Sequence, residues 1–507
     1  MSTTQRAYNS AARDANRSED RDITPETEFR ETPLPWGKLS VLLALRLSEP
    51  VNFSLILPFV YQMVKGFDVA ESPKDIAFYA SLLFTSFSLF QTIMVMHWGR
   101  LSDRIGRKPV IMIGLTGNLV SSVLFGTSKT FIAAISARAF NGLMAGNVVV
   151  AKAVIAEISD NTNRARMMAM IPLMWNLGLI AGSAVGGIFS EPVTQYPRWF
   201  GNMRIFAEYP YLLPCLIGSS VTLFGLIIGL FKFEETLVRK KKSSSVATLG
   251  ESTPLVQNAA KQQEHTIWQL LSPTVMRVMG TNVIICLALS MVNQSYPIFA
   301  ATDPSDGGLG FSSRKIGISL AIASVAVIYL QLVAYPRLER RYGALGCYRR
   351  GQLIMIPHFL LMPFLSMLAT SVEYPVASGF SPVRETILWA ILIVLLLVRV
   401  VGSVLMLTSI NLLTVNMAPT KSDLGFMNGM QQLAMSGMRI FGPLLSGLIW
   451  SWSIKHTWPF PFNSHLLWNI CALMMLLAQQ VSSKIPDSVN VFGPGETETE
   501  DEIRSSD

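Results

Sequence analysis

Along this chain, long apolar runs alternate with short polar links. Twelve of the runs are long enough to cross a bilayer, which takes about 20 mostly apolar residues in helical form. They fall at 39–63, 76–98, 109–126, 130–156, 165–189 and 209–231, then at 274–300, 315–335, 347–369, 386–412, 423–450 and 464–482. One polar interruption is much longer than the others. It covers 233–272, holds Arg239-Lys240-Lys241-Lys242 and several serines, and has no apolar periodicity, the pattern of an unstructured linker. The pattern predicts an all-α membrane protein: a disordered tail over 1–36, six helices over 37–232, a central linker over 233–272, six helices over 273–484 and an acidic tail over 485–507.

Composition and charge sharpen this picture. Half of the 507 residues are apolar and 15% are charged, against about 25% charged in soluble domains. The net charge of +8 does not point to nucleic acid, because the cations lie in short links beside the runs. Links after the even-numbered runs carry 15 Lys and Arg, and those after the odd-numbered runs 8. Lys and Arg concentrate on the cytoplasmic side, so both termini and the central linker are expected there. Arg6, Arg13, Arg17 and Arg21 are interspersed with acids and no short apolar core follows, which reads as a cytoplasmic tail and not a signal peptide. Cys215, Cys286, Cys347 and Cys471 are far apart, without metal-ligand or disulfide spacing, so no metal and no cofactor are expected. There is no phosphate-binding loop of the Gly-x-x-x-x-Gly-Lys type and no catalytic cluster. An enzyme is not expected, and the energy for any transport should come from an ion gradient.

The densest chemistry outside the apolar runs is the link Gly99-Arg100-Leu101-Ser102-Asp103-Arg104-Ile105-Gly106-Arg107-Lys108, where five charges and two glycines share one tight turn. Within the runs, Arg46 and Glu49 stand at i and i+3 in the first, followed by Pro50 and Pro58. A charge at mid-bilayer costs about 2.5–3.5 kcal/mol on insertion scales, so two on one helix face imply a pair or a function. Arg138 lies in the fourth run, Glu157 ends it, and Lys152 is placed to snorkel toward the interface. The halves echo each other. Arg337-Leu338-Glu339-Arg340-Arg341-Tyr342-Gly343 follows the eighth run as residues 100–106 follow the second, and Arg399-Val-Val-Gly402 matches Arg138-Ala-Phe-Asn-Gly142. Gly442-Pro443-Leu-Leu-Ser446-Gly447 likewise matches Gly182-Ser183-Ala-Val-Gly186-Gly187. Three echoes in one order suggest parallel six-helix repeats with a substrate path between them.

At these residues the chain resembles the major facilitator superfamily, over about residues 37–484. Gly99, Asp103, Arg104, Gly106, Arg107 and Lys108 fill the defined places of its loop signature, Gly-x-x-x-Asp-Arg/Lys-x-Gly-Arg/Lys-Arg/Lys. The resemblance implies two six-helix bundles. It also implies a loop that latches the cytoplasmic side, with Asp103 facing the positive end of a neighbouring helix and the arginines pairing with acids such as Glu157. The second-half copy has Arg340 in place of Asp103, so the latch should be one-sided. Arg138 with Gly142 resembles the family's fourth-span signature, which includes an arginine linked to proton coupling. Gly178, Gly182, Gly186 and Gly187 resemble the antiporter signature Gly-x-x-x-Gly-Pro-x-x-Gly-Gly, with Ser183 replacing its proline, while Gly442-Pro443 supplies a Gly-Pro in the other half. Arg46-Leu-Ser-Glu49-Pro50 with Leu57-Pro58-Phe59 is similar to fungal multidrug-type and zinc-induced-facilitator-like members.

The function implied is proton-coupled export of a small organic molecule by alternating access, with Glu49 as proton carrier against Arg46 and Arg138. The partners expected are that substrate, protons and lipid, with no nucleic acid, for a monomer in the plasma or vacuolar membrane. Glu251-Ser-Thr-Pro-Leu255-Val256 looks like an acidic dileucine-type sorting signal and tilts the choice toward the vacuole. The alternatives are a proton-coupled exchanger of potassium or metal chelates, and a nutrient receptor without transport.

Overall fold

The computed structural model describes residues 32–159, 163–237, 271–373, 381–418, 424–456 and 458–490. Most of the expected N-terminal tail, the linker with Arg239–Lys242, the segment 251–256 and the acidic tail from 491 lie outside the described residues. The helices are α1 (Trp36–Ser54), α2 (Val60–Gly66), α3 (Ile76–Ile105), α4 (Arg107–Gly126), α5 (Phe131–Met144), α6 (Asn147–Ile158), α7 (Arg164–Phe189) and α8 (Leu212–Lys232). After the linker come α9 (Pro273–Ala301), α10 (Ser313–Tyr329), α11 (Tyr335–Leu361), α12 (Leu365–Glu373), α13 (Ser381–Asn416), α14 (Leu424–Lys455) and α15 (Leu466–Ser483).

Ten stretches among the described residues are long and apolar enough to span a membrane. Two differences from the twelve runs have local causes. The first run is split into α1 and α2 by Pro58, which has no N–H to give the Ser54 carbonyl. Leu57 N takes that carbonyl at 3.1 Å, tightening the chain into a turn over residues 55–59. The eighth and ninth runs form one continuous stretch, Ser313–Thr370, kinked at Gly343 (φ 69°, ψ 165°). With both resolved, the fold is twelve membrane helices in two bundles.

The fourth run also breaks, between α5 and α6 at Ala145-Gly146. Trp98 fills the break: its indole N–H donates to the Leu143 carbonyl at 2.6 Å, and a Cβ at Gly146 would overlap the indole ring. Packing repeats between halves. In the first bundle α1 packs on α7, α3 on α5 and α4 on α8; in the second α9 packs on α14, α10 on α13 and α11 on α15. The bundles meet along two seams, α7 against α10 and α3 against α14.

The α1–α7 contact depends on glycine. Cβ atoms at Gly178, Gly182 and Gly186 would overlap Pro50, Ser54 with the Val51 carbonyl, and the Leu55 carbonyl in turn, so one face of α7 lies backbone to backbone against α1. Ser54 Oγ donates to the Gly178 carbonyl at 3.0 Å across the contact. Gly442 plays the same part for α14 against Ser290 of α9, and Ser446 Oγ donates to the Pro443 carbonyl at 2.8 Å.

Candidate transport site and gate

The 99–108 turn lies at one end of the bundles, called here the loop end. Gly106 ends α3 and opens α4 with φ 114° and ψ 161°, a region essentially reserved for glycine. The first N–H groups of α4 lack helical partners. Glu235, just past α8, takes two of them: Arg107 N donates to Oε1 at 2.8 Å and Lys108 N to Oε2 at 3.0 Å. Partial burial opposes ionisation of Glu235, but the backbone N–H groups of Arg107, Leu237, Lys108 and Thr236 outweigh it and hold the carboxyl below its ordinary range. The Arg107 side chain is buried. It bridges Asp103 at 2.6 Å and Glu157 at 2.8 Å, and donates to Ser102 Oγ at 2.5 Å. Thr236 Oγ1 closes the cluster by donating to Glu157 Oε2 at 2.5 Å, and Lys108 Nζ donates to the Leu230 carbonyl at the C-terminal end of α8 at 2.9 Å.

Of the acids named from sequence, Glu157 therefore meets Arg107. Asp103, 63% exposed, meets Arg107 as well, in place of the neighbouring helix end expected for it. The contacts of Asp103, Arg107 and Lys108 with Ser102, Glu157, Leu230 and Glu235 all stay on the side of the first bundle. The second half has a matching construction. Gly343 stands where Gly106 does and also has positive φ, and Asn490, just past α15, accepts from Leu345 N at 2.8 Å as Glu235 accepts from Lys108 N. Sequence reasoning missed both caps, because their acceptors lie far along the chain from the helices they cap and leave no local spacing.

The far end is sealed. A Cβ on Gly187 would overlap the Gly317 backbone and one on Gly317 the Gly187 backbone, so α7 and α10 touch at main-chain distance. At the other seam Lys455 pairs with Asp75 at 2.6 Å, Phe78 N donates to Ser451 Oγ at 3.2 Å, and Gly447 lies against Ser81. Deeper in, Asn176 Nδ2 of α7 donates to Gln331 Oε1 at 2.8 Å, where a π-helical turn, Leu330–Ala334, joins α10 to α11. Single π turns of this kind concentrate at functional sites. In α14, by contrast, Asn428, Gln432 and Arg439 on the loop-end side are exposed, while Gly442, Ser446 and Gly447 toward the far end are buried.

Halfway between the ends lies the polar centre. Arg46 and Glu49 are both buried on α1, with Nη1 to Oε2 at 2.6 Å, and Gln91 Nε2 of α3 donates to Glu49 Oε1 at 3.1 Å. Trp175 of α7 stands between two guanidiniums: Arg46 at 5.8 Å and Arg439 of the second bundle at 5.5 Å from its ring centroid. Lys152, expected to snorkel toward the interface, lies exposed on α6. Arg439 of the second bundle is exposed as well. Arg138 is directed elsewhere, its guanidinium 4.6 Å from the Phe87 ring centroid and its Nε 3.4 Å from the Leu83 carbonyl. Its contacts are thus with the aromatic face of α3, and no ion pair joins it to Glu49 among the described residues. No group of three or more His, Cys, Asp or Glu arranged to hold a metal occurs among the described residues.

Two bundles around a charged centre, closed at one end, define a membrane transporter. The chain belongs to the Major Facilitator Superfamily, whose family model matches residues 42–443. It is similar to the "Major facilitator superfamily multidrug transporter mfsB" of Aspergillus fumigatus, 28% identical over 87% of this chain and 82% of that one. It is also similar to the "Protein ZINC INDUCED FACILITATOR 1" of Arabidopsis thaliana, 29% identical over 89% of this chain and 91% of that one. Among solved structures, that of a D-xylose-proton symporter shares the fold with a TM-score of 0.63 at 16% identity, covering 89% of this chain and 98% of that one. The protein is thus a multi-pass integral membrane transporter and not an enzyme.

Proposed function

We propose that the protein exports a small organic molecule in exchange for protons, by alternating access. The observation that carries this reading is the position of Glu49. It is the one carboxylate in the middle of any apolar run, it is held by Arg46 and Gln91, and the Trp175 ring that Arg46 faces is also faced by Arg439 of the second bundle. Protonating Glu49 removes the charged partner of Arg46, so a proton changes the electrostatic balance of the centre where the bundles meet. The sealed far end and accessible loop end correspond to one state of the cycle. In the other, the bundles rock, the loop end closes, and Asp103 trades its bond to Arg107 for the N-terminal end of a second-bundle helix. With the loop end in the cytoplasm, as the Lys and Arg distribution supports, the state seen is open inward. Both termini then lie in the cytoplasm of a monomer, in the plasma or vacuolar membrane. The name of the fungal relative supports export of organic compounds.

The test is transport in proteoliposomes under an imposed pH gradient. Glu49→Gln is expected to abolish proton-driven uptake into inverted vesicles while retaining counterflow of bound substrate. PH-dependent transport unchanged in that variant removes Glu49 as the carrier. A second reading, exchange of a metal chelate for protons, is favoured by the name of the plant relative. It predicts metal-sensitive growth on deletion, whereas sensitivity confined to organic toxins argues against it.

A further inference from the structure

The second-half copy of the gate turn is built like the first but lacks its charge balance. Gly343 matches Gly106 in its positive φ, and Asn490 caps the helix beyond it as Glu235 does in the first half. In the first half Arg107 is buried and its charge is met by Asp103 and Glu157. In the second half Arg340 stands where Asp103 does, so the place of that acid is taken by a cation. Arg337 and Arg340 are both exposed, and neither is joined to an acid by an ion pair among the described residues. Arg337 Nη1 donates to the Val333 carbonyl at 2.7 Å, which uses one of its five N–H groups. Arg340 makes no hydrogen bond among the described residues. The two arginines border a cavity of about 300 Å³ whose other walls are Leu332, Val333 and Pro336. It lies at the π-helical turn Leu330–Ala334. Ile318, Ile322, Val325, Tyr329 and Leu332 form an exposed apolar stripe along one face of α10, and that stripe ends at the cavity.

We infer that this cavity binds an anionic phospholipid, with the phosphate between Arg337 and Arg340 and an acyl chain along the α10 stripe. Each part suits that ligand. Guanidinium groups offer paired N–H donors to phosphate oxygens, and the volume is at the lower end of the range for ligand sites, about 300–1,000 Å³. Basic pockets at the cytoplasmic ends of membrane helices recognise anionic headgroups, and the orientation proposed above puts the loop end there. Holding orientation requires only positive charge near the surface. These two cations also share a cavity with apolar walls and a track leading into the bilayer. A soluble anion meets the charge but gains nothing from the track. The site borders the contact between bundles as well. Gln331, in the same π turn, accepts from Asn176 of the first bundle at 2.8 Å, so a lipid lodged against Leu332 and Val333 holds the turn that carries this contact. The assignment uses the transport reading only to name the leaflet; binding is measured without it.

The experiment is native mass spectrometry of the purified full-length protein in detergent, titrated with dioleoyl phosphatidylserine or with dioleoyl phosphatidylcholine. One saturable phosphatidylserine per protein is expected, held at least about tenfold more tightly than phosphatidylcholine, as two arginines near one net negative charge should give. The double variant Arg337→Gln, Arg340→Gln should lose that preference. Leu332→Trp, which fills the cavity and leaves the charge alone, should weaken retention of phosphatidylserine. A control double variant, Arg100→Gln with Lys232→Gln, removes two exposed cations from the loop end of the first bundle and should keep the preference. All variants are compared as monodisperse preparations. Equal retention of the two lipids by the wild type overturns the assignment without recourse to any variant. A loss in the control as large as in the Arg337, Arg340 variant, or full retention in Leu332→Trp, replaces the site by diffuse attraction and also overturns it. Displacement of phosphatidylserine by millimolar inorganic phosphate would remove the lipid as the occupant.

Discussion

Glu235 does for α4 what a local N-cap does for most helices, but from beyond α8. Its carboxylate satisfies two N–H groups that would otherwise be orphaned beside the buried Arg107. Because Glu235 is itself exposed, its worth is that of an ordinary cap, about 1 kcal/mol, and not that of a buried ion pair. Glu235→Ala is therefore expected to lower the thermal unfolding midpoint in detergent at neutral pH. The sign of its pH dependence follows from the depressed carboxyl. The contribution is present above the ordinary glutamate range and is lost as pH falls through the lower folded value, so the gap between wild type and variant should close below about pH 4. A gap that persists in acid would show that packing and not charge carries the effect. The Arg46–Glu49 pair was legible in the sequence, since i and i+3 on one helix settles the contact. The cap was not, because nothing near Arg107 announces an acceptor contributed by the segment after α8.

At the scale of the elements, α1 and α7 show how far sequence patterning reaches. The glycines at 178, 182 and 186 repeat every four residues, which puts them on one helical face, and that face meets the α1 backbone. Ser183, standing where the antiporter signature has proline, is buried on the second-bundle side of the same helix, beside Gly317. Gly186→Ala is expected to cost about 1–3 kcal/mol by overpacking, because the added methyl would overlap the Leu55 carbonyl and a backbone cannot turn aside. Gly37→Ala has open space around it and should leave the thermal midpoint unchanged or slightly higher. Equal effects from the two substitutions would remove close packing as the reason for the glycine stripe. The break between α5 and α6 marks the limit of this kind of reading. Residues 130–156 read as one continuous apolar run despite Arg138 and Lys152, and the interruption comes from Trp98 on a different helix claiming the Leu143 carbonyl. Periodicity within one segment carries no trace of an intruding neighbour.

For the whole molecule, the two-bundle plan was legible because membrane helices announce themselves by length and because the halves repeat. How the halves are poised was not legible, since it depends on contacts between residues hundreds of positions apart. The seal at the far end rests on two unlike devices. One is the backbone contact of Gly187 with Gly317, which can open only by rigid movement of whole helices. The other is the pair of Lys455 with Asp75, half-exposed and so worth about 1 kcal/mol at most. A conformational equilibrium responds to a contact only by the difference that contact makes between states. Lys455→Gln should thus shift the closed-to-open ratio of the far end by no more than about fivefold, the equivalent of 1 kcal/mol. The swapped pair Asp75→Lys with Lys455→Asp should restore it. Distances between spin labels on the far ends of α3 and α14 report the two populations directly. A shift much larger than fivefold, or no rescue in the swap, would mean that Lys455 holds the seal through something other than Asp75. Within that limit the glycine contact dominates the closure, and the ion pair only biases how often the far end opens.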